Sequence, residues 1–281
     1  MLIAATLLVA GVGAGAFGAL LGLGGGILLV PVLTLGFGVD FREAVAVSLL
    51  AVITTSSAGA AVYLRRGLAD LRLGMTLELA TAVGALLGGL IAFALDQRVL
   101  AGAFALMVAY VAISMLRAGR HAERAAAPDA GAPVAGAADP GAAAVPARTA
   151  DDPLERHMRR LPLALALSLV AGVQSALLGV GGGTIKVPAM HLVLRVPLRV
   201  ATATSNVMIG VTASASAVLY VLRGAVDPYV AGPILVGVFL GATAASRLSE
   251  RVPLRVLRLL FVVVLAWVAL QMALRALGLV T

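Results

Sequence analysis

The chain of 281 residues has no cysteine, one lysine (Lys186), three histidines and one tryptophan, and only 12% of it is charged. Without cysteine there is no disulfide, no thiolate nucleophile and no Cys-rich metal site, so the redox compartment cannot be read from it. The histidines, His121, His157 and His191, are scattered. No H-E-x-x-H, G-x-S-x-G or Walker sequence occurs, and no carboxylates cluster with histidine. These absences argue against an enzyme, and ATP-driven transport would need a separate subunit. No cofactor and no metal are expected. Polarity itself is scarce: 61% of residues are hydrophobic and the mean hydropathy is +1.07. That is the range of polytopic membrane proteins rather than of soluble domains.

What is present follows from that scarcity. Apolar stretches run over residues 2–39, 44–64, 73–95, 99–116, 161–194, 200–222, 229–245 and 256–274. Most match the roughly 20 residues a helix needs to cross about 30 Å of hydrocarbon. None shows the alternation of a barrel strand, so the expected fold is all-α, with the lipid bilayer as the solvent of most of the chain. The net charge of +8 would suggest nucleic acid in a soluble protein. Here the arginines lie at span ends and in loops, which makes them a topology signal and removes nucleic acid as a partner. The N-terminal MLIAATLLVAGVGAGA has the apolar core of a signal peptide but no basic n-region, and is expected to be retained.

An internal duplication organises the chain. The offset of 157 that carries Gly22 to Gly179 also pairs Pro31 with Pro188, Ser48 with Ser205, Tyr63 with Tyr220 and Asp70 with Asp227. Of the 94 positions from Gly22 to Met115, 30 are identical without a gap, where composition alone gives roughly a tenth. The reading is a first transmembrane repeat over residues 1–117, a second over 161–281, and between them a linker, 118–160. The linker is rich in Ala, Pro, Gly and Asp, and so expected to be disordered.

Arginine placement bears on orientation. If the first segment of each half returns to its starting side, fifteen arginines, including Arg65, Arg66, Arg72 and the linker flanks, share one side. Four lie on the other: Arg42, Arg98, Arg223 and Arg275. If that segment crosses once, the division is eleven to eight. The stronger bias predicts inverted repeats in the cell membrane, each a glycine-broken, re-entrant first segment followed by three transmembrane helices. The linker is then cytoplasmic and both termini are outside.

The candidate site lies at the repeated glycine segments, GLGGGILLVP (22–31) and GVGGGTIKVP (179–188). After each, about ten apolar residues remain, roughly 15 Å of helix or half a bilayer. The glycine bends therefore fall near the midplane, approached from opposite faces, where backbone N–H groups can meet an anion. Candidate substrate contacts are Gly22, Gly24, Gly25, Gly26, Gly179, Gly181, Gly182 and Gly183, with Ser48, Ser205 and Asn206 in the polar runs that follow. Gln174 and Ser175 are weaker candidates. The alternative is that the glycines serve close helix packing alone. Lys186 is an expensive charge at this depth, either functional or snorkelling to the interface. Glu78, within LGMTLELATAVG, either carries a coupling proton or sits at headgroup level. The paired Y-x-x-R-G-x-x-D motifs, 63–70 and 220–227, read as helix punctuation: interfacial Tyr, Arg in the last turn, Gly in a left-handed cap, Asp capping the next helix. The sequence GAGAFG (13–18) matches a dinucleotide fingerprint, but within an apolar span it reads as helix packing.

The paired G-[LV]-G-G-G-x-x-x-V-P segments, the Y-x-x-R-G-x-x-D pair, ATATSN and the duplication around a variable linker together resemble the TauE/SafE sulfite exporter family, over nearly the whole chain apart from 118–160. The resemblance implies a permease that moves sulfite, sulfonates, sulfoacetate or related anions, usually outward. From another class, the alternative is a non-transporting membrane scaffold or assembly protein. Substrate choice, coupling ion and oligomeric state, a homo-oligomer included, are left open by the sequence.

Overall fold

In the computed structural model of the chain, the described residues are 2–21, 25–65, 67, 69–125, 154–248 and 254–278. They form helices α1 (Leu2–Leu21), α2 (Gly26–Pro31), α3 (Phe41–Arg65), α4 (Leu71–Ala94), α5 (Gln97–Ala125), α6 (Leu154–Leu178), α7 (Gly183–Pro188), α8 (Leu198–Leu222), α9 (Pro228–Leu248) and α10 (Leu254–Ala276). No strand occurs among the described residues. Five helical segments are long and apolar enough to cross a membrane: Leu71–Ala94, Gln97–Ser114, Arg160–Leu178, Val200–Leu222 and Pro228–Ala245. Helices α5 and α6 run into the two ends of the segment expected as linker, and residues 126–153 lie outside the described residues.

The sequence offset recurs in the elements. Helices α2 and α7, α3 and α8, α4 and α9, and α5 and α10 each begin 157 residues apart. Each short helix, α2 and α7, continues into one π-helical turn, Val32–Gly36 and Ala189–Val193. Pro31 and Pro188 stand at these junctions, where the missing N–H breaks the i→i−4 ladder.

Helix ends follow the chemistry of their terminal residues. Asp70 Oδ1 accepts from the Leu73 N–H (3.1 Å) and Asp227 Oδ1 from the Tyr229 N–H (2.8 Å), capping α4 and α9. Gly67 (φ 61°) and Gly224 (φ 67°) adopt the left-handed conformation that stops α3 and α8. The helix-punctuation reading therefore describes Gly and Asp of the repeated motif. It misplaces one tyrosine: Tyr220 is not interfacial but buried, its hydroxyl donating to the Ala176 carbonyl at 2.8 Å. A buried phenol needs such a partner, and the end of α6 supplies it. The side chain of Tyr63 lies outside the described residues.

Packing is reciprocal between halves: α1 lies on α9 as α6 lies on α4, while α3 packs on α8 and α5 on α10. Two seams depend on missing side chains. A Cβ on Gly84 would lie 2.1 Å from the Leu169 carbonyl oxygen, and one on Gly241 would lie 2.1 Å from that of Val12, the equivalent contact. Likewise Gly172 abuts Thr81 and Gly15, within GAGAFG, abuts Val238. Small residues that let backbones touch are the usual substitute for a hydrophobic drive between helices in lipid.

One end of the bundle gathers the start of α3 and the ends of α4 and α8. Arg42 donates to the carbonyls of Ala92 (3.1 Å) and Leu95 (2.7 Å), neutralising the carbonyl end of α4. Arg223 stacks over Phe93 at 5.0 Å. At the end of α10, Arg275 donates to Thr34 O (2.9 Å) at the close of the first short arm.

Candidate functional site

Each glycine segment makes a reversal that only glycine tolerates without strain. Gly25 has φ 74° and Gly182 φ 70°, and Gly179 and Gly181 are also left-handed, at 71° and 83°. The short arms therefore fold back on the helices that precede them: a Cβ on Gly25 would lie 3.2 Å from Ala14 O, and one on Gly182 2.9 Å from Ala171 O.

The two turns touch. A Cβ on Gly26 would fall 2.4 Å from the Gly179 carbonyl oxygen. The Ser48 hydroxyl binds them together, donating to Gly179 O at 2.7 Å with Gly26 O at 3.2 Å. Ile209 and Val52 cover Gly181, and Ile209 also covers Gly183. Close packing thus accounts for these glycines, whatever else they do. Gly22 and Gly24 lie outside the described residues.

The second arm carries the charge. Lys186 is 2% exposed and Glu78, on α4, is 6% exposed. Instead of reaching the surface, the lysine Nζ meets Glu78 Oε2 at 2.5 Å and donates to Thr212 Oγ1 at 2.6 Å. The Thr212 hydroxyl in turn donates to Glu78 Oε1 at 2.6 Å. This closed triangle joins α4 of the first half to α7 and α8 of the second. Its geometry matters because two charges leave water only if each is paired and hydrogen-bonded. It also places Glu78 inside the bundle, buried from the surface.

The other candidates divide by surroundings. Ser205 is buried beside Gly183, its Oγ 3.6 Å from where a Cβ there would stand, and has no hydrogen-bond partner. Ser175 and Ser168 on α6 are likewise buried with unpartnered hydroxyls. Gln174 Oε1 accepts from Thr184 Oγ1 at 3.4 Å. Asn206 is half-buried and makes none of the triangle's hydrogen bonds. Thr212 was not singled out in the sequence. Its signal was there, since it follows Ser205 by seven residues and so shares a helix face with it. Among the described residues no group of His, Asp and Glu could hold a metal ion.

Comparison with known proteins agrees with this architecture. The family described as "Sulfite exporter TauE/SafE" matches residues 7–272. The chain is 24% identical to the "Probable membrane transporter protein YunE" of Bacillus subtilis, over 95% of this chain and 96% of that protein. It is 29% identical to a "Probable membrane transporter protein" of Xylella fastidiosa, over 83% of this chain and 79% of the relative. No solved structure matches. With five helices apolar and long enough to cross a membrane, the chain is a multi-pass membrane protein of the transporter class, and it belongs to the sulfite exporter TauE/SafE family.

Proposed function

We propose that the protein is a secondary permease that moves small sulfur-containing anions, such as sulfite, sulfonates and sulfoacetate, outward across the plasma membrane. The observation that carries this reading is the Lys186–Glu78–Thr212 triangle, a buried charge system that bridges the two halves beside a glycine turn. Charges inside a membrane protein are costly and are retained where ions or protons pass. A cation next to buried hydroxyls suits an oxyanion. The family's description names sulfite export.

The halves are inverted repeats in this reading. Two facts support it: the start of α3 meets the end of α4, and the end of α8 meets that same end of α4. Equivalent helices α3 and α8 then run in opposite directions, as a pseudo-two-fold axis in the membrane plane requires. The fifteen-to-four arginine division supports a cytoplasmic linker with both termini outside.

The test is flux. Purified protein in proteoliposomes should release trapped sulfite, and Lys186→Met should lower sulfite affinity by at least tenfold, the equivalent of about 1.4 kcal/mol of lost interaction. Undiminished flux in that variant overturns the role of the lysine. A second reading, a scaffold in which the turns only pack helices, is favoured by the contacts at Gly26 and Gly182. It predicts that sulfite and sulfoacetate leave the melting temperature of the purified protein unchanged, whereas a permease that binds them is stabilised.

A further inference from the structure

The two short arms share geometry but not chemistry. The offset of 157 sets Lys186 opposite Leu29, Thr184 opposite Ile27, Ser175 opposite Gly18 and Glu78 opposite Leu235. All six residues of α2 are buried, whereas Lys186 is the one buried residue of α7. Polarity therefore gathers at the second arm, where Ser175 and Ser205 hold buried hydroxyls without partners. Two of the three ammonium hydrogens of Lys186 are used, one on Glu78 and one on Thr212.

Glu78 thus occupies the position at the cation that an incoming anion needs. We propose that Glu78 is the resident anion of Lys186 and that a singly charged substrate anion and one proton replace it together and move in the same direction, so that export runs where the outward anion gradient exceeds the inward proton gradient. The proposal rests on the permease reading above. The step balances: a carboxylate–ammonium pair, a proton and a monoanion give a neutral Glu78 carboxylic acid and an ammonium–substrate pair. One O–H bond forms at Glu78, no other covalent bond changes, and the proton leaves when the substrate does. The physical reason is net charge. An anion entering beside an ionised Glu78 would leave the buried site with an extra negative charge, and a proton entering alone would leave an extra positive one. Entering together they keep it neutral, loaded or empty. The Thr212 hydroxyl, which donates to Glu78, is freed to donate to the substrate, and Ser205 and Ser175 offer further donors.

Among the described residues no other charged side chain bonds to Glu78 or Lys186. On α4 itself Arg72 is exposed at the first turn and Asp70 caps the helix. From α6, Arg160 turns away to the Val193 carbonyl. From the arm after α7, His191 is exposed and bonded to the Val196 carbonyl. On α8, Arg223 lies at the far end over Phe93. The charge that acts on Glu78 is that of Lys186, and the reverse.

Proteoliposomes test this with methanesulfonate, whose single charge is fixed across the range used, and with sulfite. In the wild-type protein a tenfold proton gradient, at zero membrane potential, should drive up to tenfold accumulation of methanesulfonate on the alkaline side, and a potential alone should drive none. In Glu78→Gln the proton gradient should lose its effect and the potential should drive the anion. Wild-type flux that follows potential and ignores the proton gradient overturns the proposal, as does proton-driven accumulation in Glu78→Gln. If neither anion moves through the wild-type protein, the permease reading falls and this proposal with it. A readout independent of flux is the infrared carbonyl band of a protonated carboxylic acid. It should grow when sulfite is added to the detergent-solubilised wild-type protein and be missing in Glu78→Gln. A wild-type spectrum without that band overturns proton uptake even where flux is intact.

Discussion

Two serines that the repeat makes equivalent have opposite energetic roles. Ser48 donates to backbone oxygens of both glycine turns, whereas the Ser205 hydroxyl is buried without a partner. Losing a net hydrogen bond costs about 1 kcal/mol, and removing an unsatisfied buried hydroxyl costs nothing or stabilises. Ser48→Ala should therefore lower the melting temperature of the detergent-solubilised protein, while Ser205→Ala leaves it unchanged or raises it. Equal destabilisation by both would mean that Ser205 has a structural partner. The ion pair obeys the same reasoning. Lys186→Met leaves Glu78 buried without its cation, a loss of about 3–5 kcal/mol if the carboxylate stays ionised. Lys186→Met combined with Glu78→Gln removes both charges and should recover much of that stability. A double variant no more stable than the single one would show that the two residues are not energetically coupled.

At the scale of elements, the glycine seams decide where helices lie. Gly84 against Leu169 and Gly241 against Val12 are the same contact made twice, and each leaves no room for a Cβ. Over-packing of a close contact costs about 1–3 kcal/mol. Gly84→Leu and Gly241→Leu should each separate a helix pair and reduce the yield of folded protein, whereas Gly13→Ala, where nothing stands within 4 Å, should be tolerated. Comparable yields from all three variants would contradict the seam assignment. The short arms are another case in which backbone rather than side chain sets position. The glycine reversals fold each short arm back on the helix before it, and the π-helical turns after Pro31 and Pro188 carry its six helical residues on to Gly36 and Val193.

For the whole molecule, inversion makes the sharpest prediction. Topology reporters fused within the linker and at the C-terminus should report opposite faces of the membrane, and the same face for both would end the inverted arrangement. Deletion of residues 126–148 should leave sulfite flux nearly intact, because composition marks the segment as a tether. A deletion that abolishes flux while the protein still inserts would assign that segment a function.

Composition and period carried the class of this protein. Lipid tolerates only helices or closed barrels, so long unbroken apolar runs mean helices, and the repeat of 157 residues is legible because duplicated halves bury equivalent positions. The glycine reversals were legible as well, since few residues adopt positive φ. Contacts across the repeat were not. Lys186 and Glu78 are 108 positions apart, and nothing in the spacing of either says which helix faces it. The same holds for Ser48 and Gly179, and for Tyr220, which by composition belonged at an interface and by packing belongs under α6. Helix periodicity specifies which face of a span is polar, but partner choice depends on how the spans pack side by side, which here the backbone contacts at glycine determine. Only the tertiary structure could decide that the one lysine of the chain is held by a carboxylate from the other half.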